Sequence, residues 1–388
     1  GIETEGANVI RIPPYPEWVE QEYLYFVASA LPFWKNEILP KDKNGNVIQW
    51  KKIFGGKQGY RMPQDSKIDR DSVIYKTICT LCSAKKDEKS DADLIRLFLK
   101  KYVRKLYVFL YVQDNLQEEK LKILLLQPIS TIPELDCSAD NLLVEEGTIN
   151  KDECRKVLSF VFSYERLSSH RNLDRLIEHM GVDVCPYCNR FLIRPTRNQR
   201  TGQLDHFRDK VNYPQFAVSL RNLVPSCTVC NHKKSKQSKE IFYPYMEEIL
   251  PEDQFRTEPI GGFRYLLGEA GSCGEFKLTL KQTEKSGMSQ QERESYQKKI
   301  ENTFGTVFDL EELYQQQKEY VLMMFRQNAI WGAPYLESLD EDVRTMFTEE
   351  ELDGIRYLRS IAPENYIHTP LGRLTHDINE EIKLLKQD

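Results

Sequence analysis

The sequence predicts an α+β fold: a compact strand–strand–helix module near the middle of the chain, an N-terminal α+β region before it and a helical C-terminal region after it. Three observations carry this. Two Cys-x-x-Cys pairs, Cys185/Cys188 and Cys227/Cys230, bracket an interval of 38 residues. Between and beside them, "QLDHF" at 203–207 and "NLVP" at 222–225 read as short strands, the second leading into "CTVCNHKKSKQ". Elsewhere apolar residues recur at helical spacing: Val157, Leu158, Val161 and Phe162, then Leu173, Leu176 and Ile177, and later Leu310, Leu313, Tyr314, Val321, Met324 and Phe325.

Taken in order, residues 17–31 ("EWVEQEYLYFVASAL") follow a proline-rich entry and form a helix. "FGGKQG" at 54–59 lacks the spacing of a phosphate-binding loop and reads as a turn. "KDEKSDAD" at 86–93 is a polar break, where Ser90 or Asp91 caps the helix "LIRLFLKKYVRKL". The apolar runs at 106–112 and 121–128 fit strand or helix equally well. Residues 151–180 are helical and Gly181 closes them. Ser226 is the expected cap of the helix entered through "CTVC". "GFRYLLGE" and "EFKLTLKQ" form a hairpin around a Gly/Ser turn at 268–274, and further helices follow near 348–360 and 373–386. The expected divisions are 1–165, 166–245 and 246–388.

A chain of 388 residues can bury two or three cores, and 40% hydrophobic with 29% charged residues is ordinary globular composition. No apolar run approaches the roughly 18 residues that span a bilayer, so no membrane association is expected. The opening "GIETEGANVIRIPPYPEW" lacks a basic start followed by an apolar stretch, so no export signal is expected. Nine cysteines, an odd number with four in the two central Cys-x-x-Cys pairs, favour metal binding in a reducing cytoplasm over disulfides. The net charge is −5, yet residues 185–239 hold eleven Lys/Arg against Asp205 and Asp209 alone. That island of +9 in a remainder of −14 is the footprint expected for a polyanionic partner.

Each Cys-x-x-Cys pair can turn both sulfurs to one ion, and four thiolates close a tetrahedral zinc site with no open position. The expected zinc is therefore structural, on Cys185, Cys188, Cys227 and Cys230. "CTLC" at 79–82 lies in a helix-like run with no partner pair nearby and reads as coincidence. His170, His179, His368 and His376 lack ligand-spaced neighbours and read as surface or capping residues.

The segment 185–236 resembles the HNH, or ββα-metal, nuclease motif in its zinc-stapled form. The family pattern is Asp-His on the first strand, Asn before the second, then Cys-x-x-Cys-(His/Asn)-x-x-Lys. Here it reads Asp205-His206, Asn222 and Cys227-Thr-Val-Cys230-Asn231-His-Lys-Lys234. The resemblance implies an endonuclease in which His206 is the general base. A neutral imidazole, with an ordinary pKa near ~6.5, suits that role at cellular pH. It also implies that Asp205 and Asn231 hold a Mg²⁺ or Mn²⁺ ion at the scissile phosphate, and that Asn222 fixes the loop and the histidine. His232 is the alternative ligand to Asn231; neighbours on a helix point about 100° apart, so both are not expected on one ion. Arg208, Lys233, Lys234 and Lys236 are the expected nucleic-acid contacts, double-stranded DNA the expected substrate. The C-terminal "IENTF", "LEELYQQQKEYV" and "TPLGRLTHDI" resemble the tails of HNH proteins encoded beside ATPases in bacterial anti-phage systems, which implies an ATPase-type protein partner. Two other readings stay open: a non-catalytic zinc-stabilised nucleic-acid-binding module, and a scaffold in a larger complex.

Overall fold

The computed structural model describes residues 10–48, 68–112, 117–144, 150–169, 173–195, 201–235, 239–285, 287–331 and 345–386, with 338 and 341. The "FGGKQG" turn, His170 and Lys236 lie outside them. The fold is α+β with small two-stranded sheets. Two compact units divide the chain, one from Pro14–Gly181 and Leu204–Val224, the other from Gly1–Pro13, Val182–Gln203 and Pro225–Asp388.

The first unit is built around α1 (Glu17–Ala30), whose buried side chains, from Val19 through Tyr23, Phe26 and Val27 to Ala30, cover most of its circumference. A helix apolar nearly all round must be enclosed. α1 packs against Lys35–Ile38, Gln117–Leu126, α2 (Tyr164–Ser168) and Leu173–His179, and helices Val73–Cys82, Asp91–Tyr102, Arg104–Tyr111 and Lys151–Val161 build the rest of the unit. Four of these helices start on a side-chain cap: Ser72, Ser90, Asn150 and Ser163 each accept a backbone N–H three residues on. The two apolar runs that periodicity left open are thus helices. The continuous helix expected over 151–180 is broken at Phe162 and again before Leu173, while Gly181 does take the left-handed φ of +66°. Extended structure in this N-terminal region, where α+β was expected, amounts among the described residues to one isolated bridge, Lys41 with Val47.

Two strands, β1 (Gly202–His206) and β2 (Leu223–Cys227), pair as a sheet and lead into α3 (Thr228–Lys234). Strand, loop, strand and helix follow the expected order. The predicted cap does not hold: Cys227, not Ser226, is the N-cap, its Sγ accepting the Cys230 N–H at 3.4 Å.

In the second unit, β3 (Gln254–Pro259) pairs antiparallel with β4 (Phe276–Lys281), Gln254 opposite Lys281 and Pro259 opposite Phe276. This corrects the predicted hairpin. "GFRYLLGE" supplies no strand; Arg264–Leu267 is a 3₁₀ turn ended by Gly268 at φ +66°. Helices follow at Gln290–Ile300, Leu310–Gln315, Lys318–Ile330, Glu349–Tyr357 and α4 (Gly372–Leu384), close to the expected positions. A buried ion pair ties α4 to β3. Arg373 Nε donates to Asp377 at 2.9 Å, Arg373 Nη2 donates to the Asp253 carbonyl at 2.8 Å, and Asp377 accepts the Phe255 N–H at 3.0 Å.

Arg373 and Asp377 are 1% and 0% exposed, so removing one partner strands the other's charge away from water. Asp377→Ala is expected to lower stability by about 3–5 kcal/mol, read from the urea midpoint.

Candidate functional site

Residues 183–193 form a tight hairpin. Val184 bridges Leu192, the Cys185 N–H donates to the Phe191 carbonyl at 3.0 Å, and the Ile193 N–H donates to the Asp183 carbonyl at 2.9 Å. The turn is made by Asn189, buried at a left-handed φ of +47°, a conformation Asn tolerates better than most residues. Its amide is fully employed: Nδ2 donates to the carbonyls of Tyr366 at 2.8 Å and Thr369 at 3.2 Å, and Oδ1 accepts the Arg373 N–H at 3.2 Å. Tyr314 reaches the same hairpin, its hydroxyl donating to the Cys188 carbonyl at 2.8 Å.

This hairpin presents Cys185 and Cys188, and the β2–α3 turn presents Cys227 and Cys230. All four are buried, with sulfurs within 4.8 Å of one another. A tetrahedral ion with Zn–S bonds of about 2.3 Å needs sulfurs roughly 3.8 Å apart. Cys188 and Cys227 stand at 4.0 Å, about twice a disulfide bond length. These four sulfurs can hold one zinc ion. Burial pushes the Cys185 thiol up, whereas hydrogen bonds from the other three thiols hold Cys227 far below the ordinary thiol range. Cys79 and Cys82 sit in the helix Val73–Cys82 and join no such group.

The 207–222 loop is bound into the helices of the first unit. Gln215 Nε2 donates to the carbonyls of Leu135 and Cys137, Ser219 Oγ to that of Leu124 at 2.6 Å, and Tyr23 Oη to that of Val218 at 2.7 Å. Arg221, counted in the basic island, is instead buried, donating to the Leu126 carbonyl and pairing with Glu20 at 2.6 Å. Asn222 is 0% exposed and closes the loop: Oδ1 accepts the Arg208 N–H at 2.7 Å, and Nδ2 donates to the carbonyls of Arg208 and Phe216 at 3.0 and 2.9 Å.

His206 ends β1 half-buried, with Nε2 3.0 Å from the Ala217 carbonyl oxygen. A carbonyl can only accept, so Nε2 carries the proton and, in the neutral ring, Nδ1 carries the lone pair. Burial along β1 does not alternate, because Leu204 and Asp205 are both buried. Asn231 and His232 do separate: Asn231 is half-buried with its amide donating to Gln203 Oε1, and His232 is exposed.

The four thiols come together in the second unit, which also carries Asn231, His232, Lys233 and Lys234; Asp205, His206, Arg208 and Asn222 belong to the first. Arg208 forms a two-pronged pair with Asp136 at 2.9 and 2.6 Å, Lys233 donates to the Phe308 carbonyl at 2.9 Å, and Lys234 is buried. Three of the histidines read as surface or capping residues pair with carboxylates: His179 with Glu22, His368 with Asp183 and His376 with Asp377. Sequence reasoning missed Gln203, the acceptor beside Asn231, and Asp136, the partner of Arg208 from 72 residues away.

No family model matches the chain, and no solved structure matches it. Over 55 residues it is 38% identical to the Septu protein PtuB of Bacillus thuringiensis. That stretch is 14% of this chain and 20% of the Septu protein, so the chain spans about a fifth of that relative's length. Among the described residues, no helix is long and apolar enough to cross a membrane.

Two outcomes are expected. Cys188→Ser or Cys227→Ser should drop zinc well below one ion per chain by elemental analysis, while the double substitution Cys79→Ser/Cys82→Ser should keep it. Asn222→Ala, which removes the three hydrogen bonds closing the loop, should cost about 1–3 kcal/mol, read as a lowered melting temperature.

Proposed function

We propose that this chain is a metal-dependent HNH-type endonuclease hydrolysing phosphodiester bonds of nucleic acid, with double-stranded DNA as its substrate. The observation that carries the reading is His206: its Nε2–H on the Ala217 carbonyl leaves the basic lone pair at Nδ1, the protonation state a general base requires. Nδ1 takes a proton from the attacking water, and the Asn222-closed loop holds the carbonyl that orients the ring. Asp205 and Asn231, oxygen donors suited to hard ions, hold Mg²⁺ or Mn²⁺, with His232 as the alternative to Asn231. Such an ion supplies charge stabilisation at the leaving 3′ oxygen. The thiolate zinc shapes the scaffold and takes no part in the reaction. Arg208, Lys233, Lys234 and Lys236 belong to the basic region that meets the phosphates. The stretch shared with a Septu protein supports a place in an anti-phage defence system, with a protein partner from that system, such as an ATPase.

A second reading, a zinc-stabilised binding module or scaffold without catalysis, draws on the internal pairing of Arg208 and Lys233, which engages part of the basic island.

Incubation of the purified chain with plasmid and Mn²⁺ separates the two. His206→Ala is expected to slow cleavage by about a hundred- to ten-thousand-fold with zinc content and DNA retention unchanged. A parent chain that never cuts, yet binds DNA with affinity falling steeply as salt rises, supports the binding module. Absence of both cutting and salt-dependent binding supports the scaffold.

A further inference from the structure

His206 carries an aromatic contact that lies outside the strand–strand–helix module. Tyr164, the first residue of α2, meets the imidazole with ring centroids 4.3 Å apart and planes at 81°, the edge of one ring against the face of the other. This separation is slightly shorter than the usual range for such pairs, which begins at about 4.5 Å. Tyr164 is half-buried, and its helix is anchored by Ser163 Oγ, which accepts the Arg166 N–H. Lys210, from the loop after β1, places Nζ 5.2 Å from the centroid of the Tyr164 ring, within cation–π reach. Beside the other anchor, the Ala217 carbonyl, Tyr23 of α1 donates its hydroxyl to the next carbonyl, Val218, at 2.7 Å.

The hydrogen bond at Nε2 engages one edge of the imidazole. The torsion about Cβ–Cγ is broad and roughly two-fold, so the ring can swing and turn over about that bond. A perpendicular ring packed at 4.3 Å stands in the path of that rotation. We infer that Tyr164 is a positioning residue of His206, and that the N-terminal helices serve to hold the base in one tautomer and one orientation. Tyr164 supplies the wall, and Tyr23 steadies the strand of loop that carries the Ala217 carbonyl. The catalytic part of this inference rests on the nuclease reading; the orientation of the ring does not.

The test uses the full zinc-loaded chain with ¹⁵N-labelled histidine, above the pH at which imidazole titrates, with His206 assigned by its loss in His206→Gln. In the parent and in Tyr164→Phe the two ring nitrogens are expected to give well-separated shifts, Nε2 protonated and Nδ1 unprotonated. In Tyr164→Ala the two shifts should converge as the tautomers mix. At saturating DNA the cleavage rate of Tyr164→Ala should fall about 10- to 100-fold, with half-saturating DNA unchanged and the rate restored in Tyr164→Phe. Should the alanine chain melt early, Tyr164→Leu fills the space without an aromatic face and should show the same convergence. Parent-like shifts in both Tyr164→Ala and Tyr164→Leu overturn the assignment, whatever the cleavage rate. If the parent never cleaves but the shifts still converge in the variants, the nuclease reading fails and the role of Tyr164 in orienting the ring stands.

Discussion

Four buried sulfurs gathered closely enough to hold one ion impose the strongest constraint on this chain. Cys185/Cys188 and Cys227/Cys230 come from segments separated by 38 residues, and their burial leaves no place for the thiols except against each other. Other elements of the same unit are then registered on that cluster. Asn189 joins the hairpin to the start of α4, Tyr314 joins it to Leu310–Gln315, and Cys227 begins α3 with a sulfur doing the work usually given to a hydroxyl. Metal binding and folding are coupled where a site is made of parts so far apart in sequence.

The loop between β1 and β2 answers to a different kind of constraint. Its carbonyls and amides are satisfied by side chains of the helical body and by Asn222, whose three hydrogen bonds account for its complete burial. The buried backbone of this loop needs partners, and the partners found there set the direction of the Ala217 carbonyl. The proton on His206 Nε2 follows from that direction. Loop packing in the helical unit and imidazole chemistry at the end of β1 are thus links in one chain of cause.

Much of the central module was legible because metal chemistry requires fixed spacing: the two Cys-x-x-Cys pairs, β1, β2 and α3 all stand within a residue or two of the expected places. Helices with a strong apolar pattern, such as α1 and Lys318–Ile330, were equally plain. The partner of β4 was not. "QFRTEP" has alternating polar residues and ends in proline, and the Phe255 and Thr257 N–H groups are satisfied by Asp377 and Glu381 of α4, over 120 residues away. Tertiary partners outweighed local propensity there. The Cys227 cap was missed because serine is the better capping residue in general, and only the clustering of sulfurs reverses the preference at this turn. The pairs Arg208–Asp136 and Arg221–Glu20 drew basic residues out of an island that composition alone presented as solvent-facing.

At the start of β1, Gly202 lies against the cysteine-bearing hairpin so closely that a methyl group there would stand 2.8 Å from the Ile193 carbonyl oxygen and 2.9 Å from its Cβ, with the Ser226 carbonyl oxygen at 3.4 Å. The gap is one backbone wide. Neither neighbour, Thr201 or Gln203, could take its place, so the strand has a single admissible setting along its own axis. Slippage by one residue exchanges the two faces of a strand. A hydrogen atom in place of a side chain therefore acts as a notch that decides which way every later residue of β1 looks, down to the histidine at its far end.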